Sequence, residues 1–464
     1  MSTRQTKKVL KALLIQSFIL IFLQFPLFAQ NALRSPVADT NEWEMHLIDN
    51  DFWNHNSLSP GDVNKDGYTD YCVVHEGADL YTIIFHPGKN GDIRKPWKKV
   101  VIGKGNNVEY AYLGDLDGDG NMDIAGAEGL SNEGPSGTRI IWGPGKDKVY
   151  QPDAWQRSEL IPGTINQGHY LFCECHDING DGALDIITGG RVLKSNNSVG
   201  GLKWIEAPRD PKDRRDVSKW KTHYIDSNLL SGHGFEYVDI DQDGDHDFVL
   251  GNADWDTPDK KDEILWYENP GVGSPLQKKA WKRHRVYDNM EYFAKNQVAC
   301  GDINGDGLID IVSQSDNRIF LHLKKSNKPV SWEHVIIQKP PITRWVTRPI
   351  ELVDLDGDGK LDIVGALIHN WGNMPKGKAT VFWMNYKGDA AIPENWQTSV
   401  IKWSDEFYTG SKFNGEKWDH LRFIDVDGDG DLDIIGNCEE HYKRNEDGTR
   451  NTQIGVVWFE NRMK

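Results

Sequence analysis

DLDGDGNMD at 115–123 and DVDGDGDLD at 425–433 are the same nine-residue phrase, written twice about three hundred residues apart. Five more copies lie between and before them: DVNKDGYTD at 62–70, DINGDGALD at 177–185, DIDQDGDHD at 239–247, DINGDGLID at 302–310 and DLDGDGKLD at 354–362. Asp stands first, fifth and ninth in all seven, Asn or Asp third, Gly sixth, and Val, Leu or Ile second. Alternate side-chain oxygens with a glycine at the sharp turn are the pattern of a loop that gathers a hard cation, as in calcium loops of the EF-hand kind. The bidentate Glu of an EF-hand is absent, and apolar residues such as Ile124, Ile186 and Ile311 follow the ninth position, so a loop between two strands fits better than helix–loop–helix.

The expected cofactor is structural Ca²⁺, up to seven ions, since Mg²⁺ prefers rigid, water-rich octahedra. The donors are Asp62, Asn64, Asp66 and Asp70, then Asp115, Asp117, Asp119 and Asp123, then Asp177, Asn179, Asp181 and Asp185. The next loops supply Asp239, Asp241, Asp243 and Asp247, and Asp302, Asn304, Asp306 and Asp310. The last two supply Asp354, Asp356, Asp358 and Asp362, and Asp425, Asp427, Asp429 and Asp433. The plainer alternative is a set of Asx-turns without an ion.

Two other repeats keep step with the loops. Trp43, Trp97, Trp155, Trp220, Trp281, Trp332 and Trp396 each open a strand-like run, and IIWGPG, LKWIEAP, ILWYENPG, VFWMN and VVWFEN follow most loops. Each unit thus holds four short β segments. Successive loops are spaced by 53, 62, 62, 63, 52 and 71 residues, and four-stranded units repeated radially make a β-propeller. The fold class expected is all-β, a seven-bladed β-propeller of four-stranded blades. The repeats begin with an outer-type strand at Trp43 and end with a third-type strand at 456–461, so the N-terminal strand closes the last blade and removes an open edge. A linear array of calcium modules would not explain that offset.

The chain has 464 residues, 53 Lys+Arg against 70 Asp+Glu, a net charge of -17, and 18 Trp. Its mean hydropathy is -0.60. These values exclude a multi-span membrane protein and argue against a nucleic-acid partner, which needs clustered cations. Residues 1–30 read as a signal peptide: Arg4, Lys7, Lys8 and Lys11 precede an apolar run from Leu13 to Phe28. An uncleaved anchor is the alternative, but the run is short and interrupted. The expectation is a secreted protein, periplasmic or extracellular, with no stable membrane span once the signal is removed. A linker at 31–41 and a propeller at 42–464 follow. Cys72, Cys173, Cys175, Cys300 and Cys438 show no metal-type spacing and read mostly as small buried apolar residues.

The loops resemble FG-GAP or VCBS repeats, the family that includes integrin α-chain propellers, over about 42–461. That resemblance implies a seven-bladed propeller with Ca²⁺ in the loops. Similar propellers occur in ulvan-lyase-like polysaccharide lyases and in aldos-2-ulose dehydratase. The motif specifies fold strongly and function weakly.

Strand direction alternates, so the acidic loops share one face and the remaining connections share the other. That far face is rich in proton-transfer groups: His55, His75, His169, His233, His369, His420 and His441, with His176 close behind. The expected catalytic residues are His169, His233 and Tyr112 as proton-transfer groups, with Arg191 and Arg348 as carboxylate clamps. Tyr170, Tyr292, Trp255, His369, Trp371 and His441 are expected to bind substrate. For each, a packing or solvated role is the plain alternative. Zn²⁺ held by His369 and His441 is the other metal that these residue types allow. Glu109, Glu128, Glu439 and Glu440 could supply the paired carboxylates of a glycosidase.

The leading expectation is a carbohydrate-active lyase or dehydratase acting by β-elimination on acidic, uronate-containing poly- or oligosaccharides, with ulvan suggested only by the resemblance. A non-catalytic calcium-stabilised propeller that binds a glycan or protein is the second reading, and a glycoside hydrolase the third.

Overall fold

The segment after each acidic loop is nearly all apolar, because it is flanked by neighbouring blades on both sides. DYCVVH, DIAGAE and DFVLGN are buried at every position. In the computed structural model, residues 37–39, 41–129, 134–191, 200–229, 234–252, 262–271, 281–290, 297–315, 318–338, 347–367, 379–404, 416–440 and 454–463 are described. They form seven sheets, each built on four antiparallel strands. Blade 1 is Ser59–Gly61, Asp70–His75, Leu80–Phe85 and Lys98–Lys104, from innermost to outermost. Blades 2 to 6 follow the same order, with inner strands Val108–Gly114, His169–His176, Glu236–Val238, Ala299–Gly301 and Thr347–Val353.

Blade 7 combines Glu416–Ile424, Asp433–Glu440 and Val456–Glu460 with Glu44–Asp49 from the other end of the chain. Met45 pairs with Phe459 and Leu47 with Val457. The expected closure of the ring by the N-terminal strand is therefore present. One strand was not foreseen. Val37–Asp39, assigned from the sequence to a linker, runs parallel to the outer strand of blade 6, with Val37 opposite Thr398.

The acidic loops are held by their own carboxylates. The first Asp accepts backbone N–H groups from the fifth and sixth positions, as Asp62 does from Asp66 and Gly67. The ninth Asp is buried and reaches further. Asp123 Oδ2 accepts from Leu116 N at 2.9 Å and Asp117 N at 3.2 Å, while Oδ1 accepts from Gly143 N at 2.7 Å, just past the third strand. Asp70, Asp185, Asp310 and Asp433 make the same two-ended latch, to His86, Ala207, Lys324 and Asn461.

The fourth loop position is left-handed as well as the sixth. Gly118 has φ 79° and Gly120 φ 84°, but Lys65 holds the fourth position at φ 59°. Gly182, at φ 88°, has no heavy atom within 4 Å of a built Cβ, so substitution there meets backbone strain alone. Gly182→Ala is expected to lower stability by about 1–2 kcal/mol, and Lys65→Gly to raise it by about 1 kcal/mol. Urea midpoints of the two variants check both signs.

Candidate functional site

The inner strands surround a central cavity of about 300 Å³. Its residues fall in register. Counting three residues back from the first Asp of a loop gives Tyr112, Glu174, Glu236, Glu351 and Arg422, all of which line the cavity. The repeat thus aims this position of the inner strand at the axis in blades 2, 3, 4, 6 and 7, where it places ionisable groups. His176 and Tyr237 pack with ring centroids 4.4 Å apart, and His420 lies edge-on to Tyr110 at 5.1 Å.

Three carboxylates and one guanidinium share this space. Arg422 Nη1 is 3.8 Å from Glu351 Oε1, and His176 Nε2 is 2.9 Å from Glu174 Oε2. Burial, then the Glu351 and Glu174 charges, push Glu236 well above the ordinary carboxylate range against the pull of Arg422. Burial likewise raises Glu351 to about 7, opposed by Arg422 and aided by Glu174. Burial also raises Tyr112, keeping its phenol protonated, so it can donate a hydrogen bond but is a poor base.

At the far-face end lies a second set of groups, on blades 1, 2, 3 and 7. His169 Nε2 is 3.0 Å from Glu109 Oε1, which also accepts from Asn107 Nδ2 at 2.9 Å. Burial would raise Glu109, yet the charge and hydrogen bond of His169, with Lys417 and Arg191, hold it below its ordinary value. Its neighbour Glu76 goes the other way. Burial and the Glu109 charge raise it to about 8, with Lys417 opposing and Asp419 and Asp79 adding. Lys417 is 3.5 Å from Asp419 Oδ2 and also pairs with Glu439. Asp419 is followed by His420, and Glu109 by Tyr110, so this cluster stands where the cavity meets the far rim.

The expected residues divide accordingly. His169 and Arg191 belong to the rim cluster, and Tyr112 to the cavity. Tyr170 does not face a ligand site: it is fully buried and its hydroxyl donates to Thr164 O at 2.8 Å, because the strand register shifts between Tyr170 and Phe172. Glu128 is likewise committed elsewhere. It is buried, with Arg139 Nε and Arg157 Nη2 at 2.7 and 3.1 Å. Two candidate histidines, His55 and His75, are fully buried at blade 1, next to the rim cluster, and are not exposed to a ligand. His233, Tyr292, Trp255, His369, Trp371 and His441 fall outside the described residues, as does the Arg348 side chain. The five cysteines form no disulfide, and four are buried.

Sequence reasoning missed Glu174, Glu236, Glu351 and Arg422, although the signal was present, since the position three before each loop could have been aligned across repeats. It placed Glu76 among the far-face loops without a role, because only folding sets blades 1, 2 and 7 around it.

Comparison with known families fits this architecture. The FG-GAP-like repeat model matches residues 62–126, 302–365 and 354–436. With the seven sheets, this makes the chain an FG-GAP-repeat propeller. No curated protein sequence matches it. Among solved structures, it is similar to BBS1N in complex with ARL6DN, at 8% identity and TM-score 0.47, over 91% of this chain and 98% of that one. It is also similar to the α-L-arabinofuranosidase Arb93A of Fusarium graminearum, at 15% identity and TM-score 0.41, over 70% and 92%. The V. cholerae biofilm matrix protein Bap1 matches at 10% identity and TM-score 0.28, over 87% and 76%.

The cavity sets a pH dependence. A carboxyl raised in the folded state favours folding below its unfolded pKa, and that contribution is lost as pH rises through the folded value. Glu351, facing Glu174, Glu236 and Arg422, therefore makes the fold less stable as pH climbs from about 4.5 to about 7. Glu351→Gln is expected to melt above the parent at pH 8 and to show a shallower decline from pH 5. Melting curves across that window check it, and an unchanged slope counts against it.

Proposed function

We propose that the far-rim end of the central cavity is the reaction centre of a secreted carbohydrate-active enzyme that cleaves a C–O bond by general acid–base catalysis. One observation carries the reading: at the mouth of the cavity Glu109 is oriented by His169 at 3.0 Å and by Asn107 at 2.9 Å, while burial and the Glu109 charge raise its neighbour Glu76. A protonated and an ionised carboxyl side by side suit the roles of acid and base. Glu76 donates its proton to the leaving oxygen. Glu109, ionised and oriented by His169 and Asn107, takes a proton from water or attacks the anomeric carbon. Tyr110, Tyr112 and Tyr237 offer ring faces and hydroxyls to a sugar along the cavity wall.

Arg422 is set against Glu351, and burial holds Glu236 and Glu351 toward their uncharged forms, so the cavity suits a neutral glycan and hydrolysis better than a substrate carboxylate. Lys417 and Arg191 beside Glu109 favour the second reading, β-elimination on a uronate, because that reaction needs cations on the substrate carboxylate. The basic-then-apolar run at 1–30 supports export. Among the described residues no helix is long and apolar enough to cross a membrane.

Ca²⁺ is proposed for the opposite face. Carboxylate oxygens of Asp239, Asp241 and Asp243, and of Asp354, Asp356 and Asp362, lie within 4.8 Å of one another, a span that one ion with bonds of about 2.3–2.6 Å can draw together. In the second and seventh loops, Arg215 and Arg94 already touch Asp117 and Asp427. An ion bound only by the native state at a hundred times its Kd adds about 2.7 kcal/mol. Chelator is expected to lower the melting temperature, with Ca²⁺ restoring it. A curve insensitive to both overturns calcium binding.

Neutral and uronate-containing glycans, incubated with the signal-free protein, test the catalytic reading. New reducing ends from neutral glycans are expected, with an alkaline limb near pH 8, and Glu76→Gln and Glu109→Gln should each lower kcat by about 10²-fold or more. Ultraviolet absorbance of an unsaturated uronate would instead select elimination. Retention of glycan without turnover would make the protein a binding module and overturn the catalytic assignment.

A further inference from the structure

A second cluster, bordering Glu76 through His75, lies where the closing strand of blade 7 meets blade 1. Asp49 ends the closing strand, His55 follows in the loop to blade 1, and His75 ends the second strand of blade 1. His55 and His75 are 0% exposed and Asp49 is 5% exposed. One potential ligand atom from each lies within 4.8 Å of the others. His55 Nδ1 and Nε2, His75 Nδ1 and Asp49 Oδ2 are all buried without a hydrogen-bond partner. His55 Nε2 stands 3.5 Å from Asp49 Oδ2, long for a charge-assisted hydrogen bond.

The surroundings orient these atoms toward one point. His75 Nε2 is 3.1 Å from Thr82 Oγ1, which leaves Nδ1 as the inward atom. Asp49 Oδ1 is taken by Lys99, which also reaches Asp51 Oδ2 at 2.5 Å, leaving Oδ2 facing His55. Asn437 Nδ2 on blade 7 donates to His55 O at 2.8 Å and Asn56 O at 2.9 Å, fixing the loop, and His55 and His75 are joined by a β-bridge.

We propose that Asp49, His55 and His75 form a buried site for one divalent transition-metal ion of the Zn²⁺ class, which staples the closing strand to blade 1. Two imidazoles and a carboxylate are a donor set for Zn²⁺, and bonds of about 2.0–2.1 Å place tetrahedral ligands about 3.3 Å apart, close to the 3.5 Å between His55 and Asp49. Ca²⁺ takes oxygen ligands, so this site and the acidic loops select different ions. Thr82 fixes the His75 ring as an outer partner, a role whose loss weakens metal binding by about 10–100-fold. The ion ties the end of the closing strand to blade 1, within the stretch from Asp49 to His75.

The test uses the full chain expressed in Zn²⁺-supplemented medium and purified in excess Ca²⁺, with metal content measured after gel filtration. One Zn²⁺ per chain is expected. His55→Gln and His75→Gln should lose it while Asp239→Asn in an acidic loop keeps it. Replacing Zn²⁺ by Co²⁺ should give the intense visible bands of a nitrogen-ligated tetrahedral ion, absent from both histidine variants. Should those variants fail to fold, Thr82→Val decides: a 10–100-fold weaker hold on the ion in a chelator competition supports the site, and an unchanged hold overturns it. A folded parent that carries no Zn²⁺, or histidine variants that keep it, also overturns it.

Discussion

Each blade depends on a carboxylate buried where its strands part. The ninth Asp of a loop accepts N–H groups from the start of its own loop and from just past the third strand, so one side chain fixes both the turn and the strand pairing beside it. Burial raises these carboxyls, Asp185 to about 8 and Asp123 to about 7. The repeat therefore keeps Asp where an apolar residue would leave several buried N–H groups unsatisfied, which is more costly than burying one acceptor. Hydrogen bonds to backbone explain the strictness of the ninth position without reference to any ion.

Closure is the second constraint. A propeller is a ring of sheets, and its ends must meet. Here the strand Glu44–Asp49 supplies the outer edge of blade 7, with His46 stacked on Trp458 at 4.4 Å and 2.7 Å from Glu460 Oε2. The same segment leads into Asp49 and His55, so the join carries polar groups as well as strand pairing. A metal there would anchor the end of the closing strand to blade 1, beside that join.

The two faces divide the chemistry. Acidic loops on one rim are wrapped in their own backbone hydrogen bonds. The cavity and far rim hold groups whose charge states are set by one another: Glu76 against Glu109, and Glu236 and Glu351 against Arg422. Glu128, a plausible catalytic acid by position, is neutralised by Arg139 and Arg157 and serves to lock blade 2.

The sequence by itself determined the number of blades, the four strands in each and the closing role of the N-terminal strand. These follow from local periodicity, which a repeat writes out seven times. It also placed His169, Arg191 and Glu109 on the face away from the acidic loops. It could not show that Tyr170 turns into the core, because a register shift of one strand decides that. Nor could it bring Glu76, Glu109 and Lys417 together, since only the closed ring sets those separate segments side by side, or aim Asp49, His55 and His75 at one point. Protonation and metal affinity arise from such neighbours, through burial and charge at a few ångströms, and the tertiary structure alone supplies them.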